Sequence, residues 1–341
     1  MRDKKALAER LFSAAGLAVG GGILAYLLWY VRCRVDLGRV LGAVRPGWLL
    51  AAAACVPLCE LIDAWIFRWM GRRAGADVGW RGCLDAVVIG EFYYKLGPPG
   101  APVQLKLMLD AGMSGPVAAG VYTWKMTANT VCYTAYAVAA LALKLLVFNE
   151  DLGWAVWGAG ALIAVYVLLC AGVLLVAARP GGVQRGAARL LRVLGGRIRP
   201  LGEKGRVELI LDKLGQFCAR LRALRGDGRM LAGLFSAMLL ELGVLFSIPA
   251  CLYFGLGLSG HGAVELVLTQ CLVMVLSRIV LLPGNAGGAE GSFYLFMAPV
   301  FGEALPVALV LWRCAAFLEV MLLGGVWSVA RFARGAVGRR K

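Results

Sequence analysis

Charged side chains occur inside the apolar stretches of this sequence, where a membrane-spanning helix usually has none. The clearest case is LLPGNAGGAEGSFYLF (281–296), which directly follows the apolar run CLVMVLSRIV (271–280) and contains a proline and four glycines. Arg278 and Glu290 flank this break. Unsatisfied backbone groups and charges are costly in hydrocarbon, so ionisable residues at such a place are functional candidates by default. The structural alternative is internal pairing, of Arg278 or Arg313 with Glu290, which only satisfies the charges and fixes the packing.

The same reasoning selects further polar residues that lie near helix breaks or within apolar stretches. The sign of each charge indicates a chemistry: basic side chains would hold a lipid phosphate, and acidic side chains would face a cationic or hydroxylated headgroup. The candidate substrate-binding residues are Glu60, Asp63, Gln104, Lys106, Lys125, Glu241, Arg278, Glu290 and Arg313. Further intramembrane charges of this kind are Glu91, Lys95 and Glu319.

Signals for catalysis and for metal binding are weak. The sequence has no Ser-His-Asp set and no phosphate-binding loop of the GxxxxGK type. His261 is the only histidine, and the ten cysteines include no CxxC pair. We therefore predict no catalytic residue, no metal site and no cofactor.

The composition places these charges in a membrane protein. Of the 341 residues, 60% are hydrophobic and 16% are charged, whereas a soluble chain carries about 25% charged residues. A span needs about 20 apolar residues, and six stretches are long enough: 11–31, 47–67, 116–143, 154–178, 229–257 and 305–330. The predicted fold class is an all-α polytopic membrane protein. The net charge of +16 indicates contact with an anionic membrane surface rather than with nucleic acid, since no recognition motif accompanies it.

Two further apolar stretches end in clusters of proline and glycine, LGPPGAP (96–102) and LPGNAGG (282–288). We interpret them as re-entrant hairpins over 82–112 and 263–300 that enter the membrane and turn back. A broken helix presents free N–H and C=O groups at its inner ends, and these become polar binding elements when they face protein or a wet cavity. The residues expected to form the breaks are Pro98, Pro99, Gly100, Pro102, Pro283, Gly284, Asn285, Gly287, Gly288 and Gly291.

The two predicted hairpins resemble each other. Each is followed by a spanning helix that carries a tryptophan and then a basic residue, which are Trp124 and Lys125 in one case and Trp312 and Arg313 in the other. Three predicted crossings separate the hairpins, so they should enter from opposite faces of the membrane. This arrangement predicts an inverted repeat with a substrate site near the bilayer midplane.

Basic residues indicate the topology and the domain organisation. They are concentrated near both termini, after the second stretch and in the segment 179–228, which predicts six crossings with both termini in the cytoplasm. The chain then divides into a membrane half (1–178), a basic linker (179–228) and a second membrane half (229–341). The linker has the spacing of an amphipathic helix on the membrane surface, and an ordinary solvated helix is the alternative. Four basic residues do not fit this topology, because they fall in the first outer loop: Arg32, Arg34, Arg39 and Arg45.

The breaks carry motifs of a known family. LPGNAGGAEGSFYLF resembles the Pro-Gly-x-x-Gly-x-x-Glu-Gly signature of the lysylphosphatidylglycerol synthase transmembrane family, also called the flippase-like domain, at Pro283, Gly284, Gly287, Glu290 and Gly291. The first break (98–114) is similar to the family's Gly-Gln-Pro-x-Gln signature at Pro102 and Gln104, with Ala101 in place of the first glutamine. Lys125 and Arg313 fall where the family places basic residues after each break.

The resemblance implies an integral protein of the bacterial plasma membrane that flips polar or aminoacylated phospholipids, such as lysylphosphatidylglycerol, between leaflets. Such a protein would contribute to resistance to cationic antimicrobial peptides, and phospholipid headgroups would be its partners. The family also joins this module to a soluble synthase domain, which we expect this chain to lack. Two alternatives stay open: a membrane component of a phosphatidylglycerol lysyltransferase system with a separate synthase subunit, and a scaffold for cell-envelope glycolipid synthesis. A homo-oligomer is a further open alternative.

Overall fold

The computed structural model of the chain describes residues 44–96, 100–147, 227–277 and 287–338, together with Asn285 and with short runs and single positions between 157 and 189. These residues are mostly helical and include no strand, which confirms the predicted all-α class. Numbered in chain order, the described helices are α1 (Pro46–Arg73), α2 (Trp80–Leu84), α3 (Gly90–Leu96), α4 (Gly100–Asp110), α5 (Gly115–Ala142), α6 (Gly228–Phe246), α7 (Ile248–Gly255), α8 (Ala263–Ser277), α9 (Gly288–Phe301), α10 (Leu305–Arg313) and α11 (Glu319–Gly338). Single π-helical turns join α2 to α3 and α10 to α11, and another extends α5.

Several helices are long and apolar enough to cross a membrane. Among the described residues these segments are Pro46–Arg73, Gly115–Leu146, Gly228–Gly255 and Gly288–Arg331. They confirm the predicted stretches 47–67, 116–143, 229–257 and 305–330. The last segment is interrupted at Gly302, whose φ of 51° ends α9, so the crossing begins with α10. The stretch 11–31 lies outside the described residues, as do most of 154–178 and of the linker, and the division into two membrane halves stays a prediction.

The end of the helix bundle at which Arg72 and Arg73 complete α1 is called the arginine end. Arg73 at the end of α1 pairs there with Asp227, the residue that caps α6 by accepting a hydrogen bond of 2.9 Å from the N–H of Met230. At the opposite end, the N–H of Arg45 donates to the carbonyl of Gly255 at 2.8 Å. The start of α1 therefore meets the end of α7, and α1 runs antiparallel to the segment formed by α6 and α7.

Glycines hold the first hairpin together. Its first limb is α2 with α3, its second limb is α4, and the two limbs pack against each other. A β-carbon on Gly100 would lie 2.5 Å from Cα of Tyr94, and one on Gly82 would lie 2.6 Å from Cβ of Ala111. Small residues let helices approach this closely within a membrane. The pair corresponds to the predicted hairpin over 82–112.

We expect Gly100→Ala to destabilise the protein by about 1 to 3 kcal/mol, because the added methyl group would overlap the backbone of the facing limb, which cannot move aside cheaply. The measurement is the midpoint of thermal unfolding of the purified protein in detergent. Gly291→Ala is the matched control, since Gly291 lies in the second hairpin with open space around its Cα. Equal midpoints for the two variants would contradict the close contact at Gly100.

The second hairpin consists of α8 and α9, which pack against each other and correspond to the predicted hairpin over 263–300. Its base lies at the end of the bundle opposite the arginine end. There the ring of Tyr253 in α7 contacts the rings of Phe301 at the end of α9 and of His261 just before α8, at centroid distances of 5.6 and 5.9 Å. Aromatic edge-to-face contacts of this kind fix the hairpin against α7.

The helix that follows each hairpin packs against the other hairpin. α5 packs on α8, and Lys144 beyond it pairs with Glu265 at 3.6 Å. In the same way, α11 packs on the first limb of the first hairpin, and Arg331 pairs with Asp85 and, at 3.0 Å, with Asp110. The first hairpin therefore has its base at the arginine end and the second at the opposite end. This reciprocal packing is what the predicted inverted repeat requires.

Candidate functional site

Three helices bring charged side chains together at the centre of the bundle. Asp63 of α1 pairs with Lys125 of α5: Oδ2 and Nζ are 2.5 Å apart, and the side chains are only 5% and 3% exposed. Glu241 of α6 lies within hydrogen-bonding reach of Asp63. Glu60 precedes Asp63 by about one helical turn, so both project from one face of α1. We call Glu60, Asp63, Lys125 and Glu241 the acidic cluster.

The acidic cluster has more acceptors than the protein satisfies. Oε1 of Glu60, Oδ1 of Asp63 and Oε2 of Glu241 are buried and have no hydrogen-bond partner among the described residues. Buried polar atoms in proteins are nearly always paired, because leaving one unpaired costs its full desolvation. The three carboxyls, of which only Asp63 pairs with the ammonium group of Lys125, each have a free oxygen and therefore form a site that a further hydrogen-bond donor would complete.

The acidic cluster lies at the depth of the bilayer midplane. With a rise of about 1.5 Å per residue, Asp63 and Lys125 are about 15 Å from the ends of their helices at the arginine end, and Glu60 and Glu241 are about 20 Å from theirs. α1 has 28 residues and is therefore about 42 Å long, close to the thickness of about 40–45 Å of a bilayer including its headgroups. A group bound at the cluster would therefore be about equally far from both membrane surfaces.

Both halves of the membrane domain contribute to the surroundings of the cluster. Glu91 in the first hairpin and Glu319 at the start of α11 lie close enough to Glu60 to interact with it electrostatically. Both were intramembrane charges selected from the sequence. They add negative charge around the cluster, so the region as a whole favours a positively charged ligand.

Glu290 and Arg313 form a second site, which ties the second hairpin to α10. Nε of Arg313 donates to Oε1 of Glu290 at 2.7 Å, while the N–H of Gly287 donates to Oε2, also at 2.7 Å. Arg313 lies beside the rings of Trp312 and Phe317, at 5.5 and 5.6 Å from their centroids. Both oxygens of Glu290 are thus used inside the protein. Of the two pairings considered from the sequence, the structure shows the one between Glu290 and Arg313.

The remaining candidates are distributed over the hairpins. Gln104 is buried in α4 against Gly90, and its Nε2 has no hydrogen-bond partner among the described residues. Lys106 lies on the exposed face of α4, as does Pro102. Neither Gln104 nor Lys106 has a contact that tests a role in binding, so both stay predictions. Arg278 lies outside the described residues.

The break residues can be placed only in part. Gly100 begins α4 and Gly288 begins α9. Before α9, Asn285 and Gly287 have left-handed φ angles of 52° and 82°, which suit a sharp turn. Gly291 is exposed, and no atom of the described residues lies within 4 Å of a β-carbon added there. The break residues outside the described part are Pro98, Pro99, Pro283 and Gly284.

Sequence reasoning did not select the charged residues at the bases of the hairpins. Lys144 and Glu265 are both buried, and Asp85 also accepts a hydrogen bond of 2.7 Å from Nε1 of Trp327. The sequence feature that could have indicated these pairs is an acidic residue near the start of the first limb of each hairpin, Asp85 in one and Glu265 in the other. Their basic partners lie far away in the chain, at the ends of the helices that follow the hairpins.

The fold and the site define a multi-pass membrane protein in which two helical hairpins have their bases at opposite ends and charged residues are buried between the helices. The family model described as the lysylphosphatidylglycerol synthase TM region matches residues 13–324, and the chain belongs to this family. This confirms the resemblance seen at the two breaks. The comparison with curated proteins gives no match for the chain.

Proposed function

We propose that this protein is a lipid flippase that moves polar or aminoacylated phospholipids between leaflets, and that the acidic cluster receives the cationic part of the headgroup. The observation that carries the proposal is the set of unpartnered carboxylate oxygens buried at midplane depth. Midplane sites between inverted repeats are typical of transporters, because such a site can be reached from either side by small movements of the repeats.

The charge of the cluster favours a cationic substrate. Three carboxylates and one ammonium group leave two negative charges uncompensated, and buried charges without partners are strongly destabilising. Protons can neutralise the cluster while no lipid is bound. The ammonium groups of an aminoacylated headgroup can replace those protons and donate to the free oxygens of Glu60, Asp63 and Glu241. A lysyl ester carries two such groups, which matches the two uncompensated charges.

The arrangement of the hairpins supports access from both leaflets. The base of the first hairpin is held at the arginine end by Arg331, and the base of the second is held at the opposite end by Lys144. Each hairpin is thus attached to the half of the protein that contains the other. A movement of one half relative to the other would open the centre alternately toward the two leaflets.

We further propose that the arginine end faces the cytoplasm of a bacterial cell, since cytoplasmic ends of membrane proteins carry an excess of basic residues. Outward movement of an aminoacylated lipid would make the outer leaflet more positive. A more positive surface repels cationic antimicrobial peptides, so the proposed activity would contribute to resistance against them.

The proposal is tested by reconstituting the protein in vesicles with an acyl-chain-labelled fluorescent lipid and bleaching the outer leaflet with dithionite. We expect faster exchange of labelled lysylphosphatidylglycerol than of labelled phosphatidylglycerol. Glu241→Gln should slow the exchange about tenfold, because a charge-assisted hydrogen bond to the headgroup is lost. Glu303→Gln, at an exposed position, is the matched control. Wild-type exchange equal to that of protein-free vesicles would refute the proposal.

A further inference from the structure

A pocket of about 340 Å³ lies on the flank of α1 near the arginine end. The residues that line it are Trp65, Arg68, Trp69, Arg72 and Arg73. At a rise of about 1.5 Å per residue, the pocket reaches from the end of α1 about 12 Å toward the membrane centre. It is therefore located where the headgroups and the first acyl carbons of one leaflet would lie. Its arginines are the part nearest the membrane surface, at about 8 Å or less from the end of α1.

Two of the three arginines of this pocket carry positive charge that the described protein does not neutralise. Arg73 pairs with Asp227, whose pKa is lowered first by the hydrogen bond from the Met230 N–H and then by Arg73. Arg68 and Arg72 have no acidic partner among the described residues, and Nε of Arg68 is buried without a hydrogen-bond partner. Two of the three arginines in the pocket therefore have no described carboxylate partner, and Nε of one of them, Arg68, is a donor that a phosphate oxygen can satisfy.

Aromatic rings give the pocket an apolar wall. Trp65 and Trp69 are stacked at 5.2 Å with an interplanar angle of 8°, and Trp65 is 40% exposed. The ring of Trp69 packs closely against Gly233 of α6, since a β-carbon added to Gly233 would lie 2.8 Å from the ring. Arg68 is itself oriented by the ring of Trp80, 5.1 Å from its guanidinium carbon. Tryptophan at this depth is typical of the membrane interface, where one side of the ring contacts lipid.

We propose that this pocket is a binding site for an anionic phospholipid, with the phosphate on Arg68 and Arg72 and the glycerol and upper acyl chains against Trp65 and Trp69. The occupant is a lipid rather than free phosphate, because the tryptophan wall faces the hydrocarbon side and offers nothing to a small anion. The site is separate from the acidic cluster in position and opposite to it in charge. A cluster that attracts cations at the midplane would repel the phosphate that this pocket attracts.

The test is a titration of the delipidated, detergent-solubilised protein with phosphatidylglycerol, in which bound lipids are counted by native mass spectrometry. We expect wild type to bind one phosphatidylglycerol that phosphatidylcholine does not replace. The double variant Arg68→Gln/Arg72→Gln should bind that lipid about tenfold more weakly, as the loss of two interfacial arginines predicts. Arg81→Gln, an exposed arginine next to Trp80 that does not line the pocket, is the matched control.

Three results would overturn the assignment. The first is equal phosphatidylglycerol binding by the double variant and the control. The second is equal retention of phosphatidylglycerol and phosphatidylcholine by wild type. The third is displacement of the bound lipid by inorganic phosphate, which would show that the pocket recognises the anion alone. Equal thermal unfolding midpoints of the double variant and Arg81→Gln check that a loss of binding does not reflect misfolding.

Discussion

Lys125→Met will destabilise the protein by about 3 to 5 kcal/mol, the usual cost of removing one partner of a buried ion pair. Lys125 is the only base in direct contact with the acidic cluster among the described residues, and its side chain is 3% exposed. Without it, Asp63 loses its ammonium partner in a medium that solvates charge poorly, while Glu60 and Glu241 remain beside it. The measurement is the midpoint of thermal unfolding in detergent.

A double variant shows whether the loss of stability comes from leaving Asp63 without its partner. Asp63→Leu combined with Lys125→Met removes both charges at once and should recover most of the lost stability. Lys106→Met is the matched control, because Lys106 lies on the exposed face of α4 and the same substitution there should cost little. If Lys125→Met were as stable as Lys106→Met, the carboxyls of the cluster would not depend on Lys125, and our account of the site would be wrong.

The double variant also tests the proposed role of the cluster in transport. It retains Glu60 and Glu241 but lacks the free oxygen of Asp63. We expect it to fold and yet to exchange labelled lysylphosphatidylglycerol more slowly than wild type. Stability and exchange should therefore respond differently: the single variant loses both, whereas the double variant recovers only the first.

Much of this site could be predicted from the sequence because charge inside an apolar stretch is a local signal. Glu60, Asp63, Lys125 and Glu241 were each selected by hydropathy alone, since no other kind of residue is so costly at that depth. The clustering was not predictable, because it depends on how α1, α5 and α6 rotate about their axes when they pack. A partial rotation of α1 or α5 would separate Asp63 from Lys125, and a partial rotation of α6 would move Glu241 away from both.

The ion pairs at the bases of the hairpins could not be predicted from the sequence either. The Pro-Gly breaks and the glycines identified both hairpins, because backbone chemistry is encoded locally. The ion pairs at their bases join residues from opposite halves of the chain, such as Lys144 with Glu265. Lys144 lies at the end of a predicted span, where a basic residue is ordinarily explained by contact with water or lipid headgroups. Only the packing of α5 on α8 reveals its partner.

Arg313→Met is expected to destabilise the protein by about 3 kcal/mol, the lower end of the range for a buried ion pair, because it removes the guanidinium partner of Glu290, whose side chain is 13% exposed and keeps the Gly287 N–H. Glu290→Gln removes the carboxylate that pairs with Arg313 and should also be destabilising. Thermal unfolding in detergent measures both. The double variant Glu290→Gln/Arg313→Gln keeps two hydrogen-bonding side chains without any charge, and should unfold closer to wild type than either single variant.

Lipid exchange by that double variant then decides what the Glu290 signature position does. Both oxygens of Glu290 already accept hydrogen bonds inside the protein, one from Arg313 and one from the N–H of Gly287, so the fold itself holds the carboxylate in place. We therefore expect the double variant to recover exchange along with stability, which would make this pair a clamp that holds the second hairpin in shape. Recovered stability without exchange would show instead that the pair opens during transport and contacts the lipid. The acidic cluster, whose oxygens are free, should show the opposite response in its own double variant, so the two experiments together distinguish a binding site from a structural one.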